Sequence, residues 1–208
     1  MKKPILHAAL LFVFTLGLVS KATAQKIPDP SFETTSLQAP FVFGGDASAA
    51  APPWSFGTQA GICQANVAYA ANFEAAEGKQ VAIIQGDPSL AAEEAQNVPG
   101  CIFGVDMTGL ETGAEYELQW AQASRASDLE HGAISVVLTD PANPATNLAL
   151  VQHLHVANKE KWEVEKHQFP ATAVTMRLNI LHFVPNLESG ATGTESTLLD
   201  DFRIEKLK

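Results

Sequence analysis

The sequence predicts an all-β chain, folded as an antiparallel β-sandwich of jelly-roll type. Three observations predict it. Short runs of period-2 alternation recur along the chain. Clusters of Gly, Pro and Asn separate them at near-regular spacing, as tight turns require. Helical periodicity is almost absent. Roughly eight to ten strands follow from this pattern, the signature of a sandwich rather than an α/β fold. No internal repeat points to a propeller or solenoid.

The clearest element is the stretch from Gly109 to Trp120. Gly109 and Gly113 supply the positive φ that a tight turn demands. Tyr116, Leu118 and Trp120 then alternate with Glu115, Glu117 and Gln119, which predicts a strand with one buried face.

In chain order, residues 1–24 read as a secretory signal peptide. Lys2 and Lys3 form a basic start, Ala8 to Val19 an apolar run too short to span a membrane comfortably, and Ala22-Thr23-Ala24 a small-residue cleavage site. Residues 25–208 are expected to form one domain, secreted or held in the periplasm or at the cell surface.

Ile27 to Glu33 is a turn-rich opening confined by its prolines to an edge or loop. Residues 39–58 predict a long loop and then a short strand at Trp54-Ser55-Phe56. Ala60 to Ala76 predicts another loop, Glu77 to Gln80 a turn and Val81 to Gln85 a buried strand. Leu90 to Gln96 suits one helical turn or a strand start. Cys101 to Met107, Ile134 to Leu138, Leu148 to Val156, Trp162 to Phe169, Val174 to Ile180 and Leu198 to Leu207 predict further strands. Asp140 to Pro144 predicts a turn.

Formal charge is −10 over the whole chain, with 13 basic and 23 acidic residues. Removing residues 1–24 takes away three lysines and no acids, giving −13 (10 minus 23). An acidic domain without a basic stripe argues against nucleic acid and anionic membranes as partners and suits neutral ligands or cations. The two cysteines, Cys63 and Cys101, are expected to pair as a disulfide in an exported chain.

Several features coincide in order: Asp29-Pro30-Ser31-Phe32-Glu33, Pro53-Trp54-Ser55-Phe56, Gly61-Ile62, Glu77 to Gly86, the glycine-tyrosine strand ending at Arg125, and Leu199-Asp200-Asp201-Phe202-Arg203-Ile204. Together they resemble the galactose-binding-like jelly rolls. That group includes carbohydrate-binding modules of glycoside hydrolases and related secreted domains of plant cell walls and environmental bacteria. The resemblance spans nearly all of residues 25–208. It departs from the usual Asn-Gly-Ser-Phe-Glu opening, and residues 93–104 look longer than typical.

The resemblance implies a structural calcium ion where the first and last strands meet, held by Glu33 and Asp200 with Asp201 as the alternate. Asp200 shares strand parity with Phe202 and Ile204, which points it inward, and a carboxylate aimed at a core needs a partner. Calcium takes carboxylate and carbonyl oxygens together. The alternative is pairing with Lys79, Arg203 or backbone amides.

The resemblance also implies a polysaccharide or glycan as ligand. On a sheet face away from the core, Gln119 and Arg125 of the tyrosine strand and Arg177 and Asn179 of the late strand offer planar groups for sugar hydroxyls. Trp54 and Tyr69, in loops, are candidate aromatic platforms. Trp120 and Trp162 share parity with apolar neighbours and are expected in the core. Nucleophile elbow, zinc-protease and phosphate-loop motifs are missing. The leading expectation is a non-catalytic carbohydrate-binding module. A jelly-roll hydrolase or lyase and a matrix protein without a sugar site stay open.

Overall fold

A computed structural model describes residues 27–70, 73–85, 102–125, 133–141, 143–154, 161–183 and 196–207. The expected signal peptide and the stretch Leu90–Gln96 lie outside these residues. The strands are β1 (Phe41–Phe43), β2 (Ser55–Phe56), β3 (Ala60–Gln64), β4 (Gln80–Gln85), β5 (Ile102–Thr108), β6 (Glu115–Ser124), β7 (Ala133–Asp140), β8 (Asn143–Leu154), β9 (Glu163–Pro170), β10 (Thr175–Phe183) and β11 (Ser196–Lys206). Among the described residues a short helix, α1 (Gly44–Ala50), follows β1.

Two antiparallel sheets pack face to face. The six-stranded sheet runs β1-β3-β4-β11-β6-β9 and the five-stranded sheet β2-β5-β10-β7-β8. This is the expected jelly-roll sandwich. The turn before β6 has the backbone its glycines promise, with φ of 75° at Gly109 and 86° at Gly113. The Tyr116 hydroxyl accepts the Glu111 amide at 2.9 Å and locks the turn to its strand.

Inward side chains alternate with outward ones as a half-buried strand requires. Ile62, Ile84, Leu118 and Trp120 from one sheet meet Val105, Val136, Met176 and Leu178 from the other. Each such side chain, fully buried, contributes about 1.5–3 kcal/mol. One end of the core is aromatic. Trp54 packs on Phe32 at 4.9 Å and on Phe202 at 5.3 Å between centroids.

A second apolar cluster lies on the outer face of the six-stranded sheet: Cys63, Val81, Ile83, Ala123 and Leu198 with Ala70, flanked by half-buried Phe43, Phe73 and Trp162. It explains a difference from expectation. Ala60–Gln64 was expected as loop and forms β3, because both of its faces are buried and no polar alternation marks it. Residues 39–58, expected as loop before the Trp54 strand, also hold β1 and the alanine-rich α1. The turn expected over Asp140 to Pro144 is shorter, since β8 already begins at Asn143. Pro144 is tolerated because β8 is an edge strand.

Candidate functional site

Strand β6 sends Tyr116, Leu118 and Trp120 into the core. Gln119, Ala121 and Ala123 therefore face outward from the six-stranded sheet, and Arg125 follows on the same parity. Ala123 packs in the outer cluster, which confirms the direction. Beside it, Glu163 of β9 pairs with Gln122, and Trp162 comes one residue earlier. The Trp162 indole donates to the Glu74 carbonyl at 2.7 Å. Phe73 meets the ring edge-to-face at 5.8 Å. The indole is thus half-exposed and fixed in orientation. Arg125, also half-buried, donates its main-chain N–H to Ser196 at 3.0 Å. Its charge is felt at Cys63. Farther along the face, the Gln119 amide donates to Glu117 Oε1 at 2.7 Å, and Lys166 Nζ reaches the same oxygen at 3.0 Å. The hydrogen bond from Lys166 holds the Glu117 carboxyl below its ordinary value.

Arg177 and Asn179 do not share this face. They alternate with core residues Met176, Leu178 and Ile180 on β10, so they point outward from the five-stranded sheet. The Arg177 guanidinium donates to Asp106 Oδ1 at 2.9 Å and to the Ser55 hydroxyl. Asn179 Nδ2 donates to the Thr139 hydroxyl at 3.2 Å. With Ser55, Phe56 and Gly104 they line an open groove of about 300 Å³. The single expected ligand face is therefore split in two, with the core between. Strand parity says only that a side chain leaves the core; which sheet carries the strand decides the side.

Trp54 is no platform. It is 1% exposed, and its indole donates to the Pro28 and Asp29 carbonyls at 3.0 and 2.8 Å. It plugs the core end instead. Tyr69 sits in the 3-10 turn Ala68–Ala70, and its side chain lies outside the described residues. Trp120 is core as expected, whereas Trp162 belongs to the outer cluster. The signal for Trp162 was in the sequence. It stands seven residues before Phe169, an odd interval that places it opposite the one β9 side chain in the core.

The acidic residues form a clasp between the opening segment and β11. Glu33 Oε1 accepts the amides of Lys79 and Gln80, both at 2.6 Å. Its side chain lies over Gly78, where a Cβ would fall 2.4 Å from that oxygen. Asp200 Oδ2 accepts the Glu77 amide at 2.9 Å and Oδ1 the Asp201 amide at 2.8 Å. Asp201 pairs with Arg203 at 2.7 Å. The β11–β6 register shifts between Asp200 and Arg203, with Asp201 at φ 50°. This bulge corrects the parity reading. Leu199 and Phe202 both face the core, so Asp200 lies on the opposite side with Leu198. It is nonetheless fully buried, and burial pushes its carboxyl up to about 7.

Of the expected Cys63–Cys101 pair, only Cys63 lies among the described residues. Cys63 is a free thiol, buried in the outer cluster, where burial raises it to about 12. Cys101 lies outside the described residues, and the strand after it belongs to the other sheet.

No protein-family model and no curated protein matches the chain. Among solved structures it is similar to an arabinose-bound α-L-arabinofuranosidase, at 14% identity and TM-score 0.56, over 88% of this chain and 26% of that one. The chain thus spans about a quarter of that enzyme's length. It is also similar to the CBM22-1 xylan-binding domain from Paenibacillus barcinonensis, at 16% identity and TM-score 0.46, over 86% and 92% of the two chains. A CBM4 structure matches at 13% identity and TM-score 0.43, over 61% and 71%. At these identities the likeness is one of fold alone.

Proposed function

We propose that the chain is an exported, non-catalytic module that binds a neutral polysaccharide on the outer face of its six-stranded sheet. The observation that carries the reading is the anchored, half-exposed Trp162 ring at the same end of β6 as Arg125. A pyranose packs its apolar face on an aromatic ring, while planar polar groups around the ring hold its hydroxyls. Because Glu74 and Phe73 already fix the indole, little side-chain freedom is lost on binding. Gln119 extends the same face along β6. The likeness to solved structures supplies the fold; the function is argued from the site. Export rests on the signal-peptide pattern of residues 1–24.

Structural calcium belongs to the same proposal. Among the described residues no three His, Cys, Asp or Glu side chains are gathered so as to hold a metal ion. Calcium would therefore need main-chain carbonyls beside Glu33 and Asp200, a donor set of oxygens alone that suits it. The support is Asp200 itself, a buried carboxylate whose hydrogen bonds are with backbone amides. When bound, the ion would supply the opposite charge that this burial calls for.

Affinity electrophoresis against xylan, β-glucan, pectin and cellulose tests the binding reading. Dissociation constants on the order of micromolar to millimolar are expected for an open face. Trp162→Ala should remove binding at this face, and Arg125→Ala should weaken it by about 1.5–3 kcal/mol, the worth of a charge-assisted hydrogen bond. Retention unchanged in both variants would reject this face. Reducing ends that accumulate with time would establish the hydrolase or lyase reading, and no retention on any polymer the matrix-protein reading.

A further inference from the structure

We propose that Glu74 selects the sugar at the Trp162 platform: its carboxylate takes the hydroxyls of a neutral pyranose and disfavours a uronic acid. The proposal rests on the binding reading above and adds a contact residue and a substrate class to that same face.

Glu74 is placed by its main chain. Its carbonyl oxygen accepts the Trp162 indole N–H at 2.7 Å. The Glu74 Cα, two bonds from that oxygen, therefore lies beside the edge of the ring. Phe73 and Ala75, on either side, pack into the outer cluster and are half-buried, whereas Glu74 is exposed. With both neighbours turned toward the sheet, its side chain is left on the solvent side. The segment is moored as well. The Phe73 N–H donates to the Ala70 carbonyl at 3.0 Å, and the Phe73 carbonyl accepts the Asn66 amide at 2.7 Å. Among the described residues no hydrogen bond or ion pair occupies the Glu74 carboxylate.

A free carboxylate beside an aromatic ring suits a sugar lying on that ring. Ionised, it only accepts, through two oxygens. Two vicinal hydroxyls of a pyranose can each donate to one of them, and such charge-assisted bonds are stronger than neutral ones. The main chain is already fixed, so only the rotamers of Glu74 itself are lost on binding. A uronic acid in the same place brings a second negative charge close to the first. At about 5 Å in a watery site that repulsion weakens binding by about threefold to tenfold. Arg125, at the same end of β6, carries the opposite charge. It attracts the carboxylate that Glu74 repels, so removing the charge of Glu74 shifts preference toward acidic sugars.

Isothermal titration with xylohexaose, cellohexaose and a xylo-oligosaccharide carrying glucuronic acid tests this. Glu74→Ala should weaken binding of a neutral hexasaccharide by about 10- to 150-fold. Glu74→Gln keeps one carbonyl oxygen and should weaken it less. It should also shift relative affinity toward the glucuronic acid sugar by about threefold to tenfold. Neither substitution touches the main-chain carbonyl that anchors Trp162. Trp54 and Trp120 are buried, so the emission that acrylamide quenches comes from Trp162 and should be unchanged in both variants. Affinity lost together with altered quenching would make Glu74 a positioning residue and overturn direct contact. Affinity unchanged in Glu74→Ala but lost in Trp162→Ala overturns the proposal and leaves the face. A ratio of neutral to acidic sugar that is the same in wild type and Glu74→Gln overturns the selection against uronic acids. Binding indifferent to Trp162→Ala, or no heat from any of the three sugars, overturns the face and this proposal with it.

Discussion

Asp200 should make the chain less stable as pH rises from about 4 toward 7, and Asp200→Asn should remove that dependence. The carboxyl is fully buried, and burial is the chief reason it moves from 3.8 to about 7, against the opposing hydrogen bonds from the amides of Glu77, Asp201 and Ala76. The nearby Asp201 charge raises it further. The folded chain therefore holds this proton more tightly than the unfolded chain does. Stability from this group is fully present below about pH 4, falls as pH rises toward 7, and is flat above that. A displacement from 3.8 to about 7 corresponds to roughly 4 kcal/mol, an upper figure for the whole window. Urea denaturation of both proteins from pH 4 to 8, in chelator and at constant ionic strength, isolates the effect as the difference between their curves. The variant keeps one amide oxygen for these N–H donors and should lose about 1–2 kcal/mol at low pH while closing the gap, or overtaking, at pH 8. Parallel curves would refute the account of a buried, proton-holding carboxyl. Saturating calcium, if it binds, should stabilise the wild type most at high pH, where its ligand is ionised, and should not help Asp200→Asn. Identical melting in chelator and in calcium at pH 8 would eliminate the ion.

Cys63 should take an alkylating label when the chain is unfolded without reductant and resist it when folded, because the thiol is buried and raised to about 12; mass analysis showing no label on the unfolded chain would mean a disulfide after all. Trp54→Ala should cost about 3–5 kcal/mol by emptying the aromatic end of the core, whereas Trp54→Phe, losing only the indole hydrogen bonds to Pro28 and Asp29, should cost about 1–2 kcal/mol and leave glycan retention intact. Loss of retention in a folded Trp54→Phe protein would return that residue to the binding site.

Much of this fold was legible in the sequence by itself. The glycine turn and tyrosine strand from Gly109 to Trp120 and the alternation of β10 follow from period 2 and turn chemistry, and the burial of Val81 to Ile84 from an unbroken apolar run, all local properties of the chain. The tertiary structure decided what local properties do not contain. Strand β3 looked like loop because the outer cluster buries its second face and erases the alternation. Asp200 changed sides because a bulge at Asp201 inserts one residue, and a one-residue slip reverses every side chain before it relative to those after. Arg125 and Arg177 were each rightly read as leaving the core, yet they emerge on opposite faces, because β6 and β10 belong to different sheets. Parity is fixed within one strand by the pleat; the sheet a strand joins is fixed by contacts far away along the chain, and that choice placed the two candidate faces back to back.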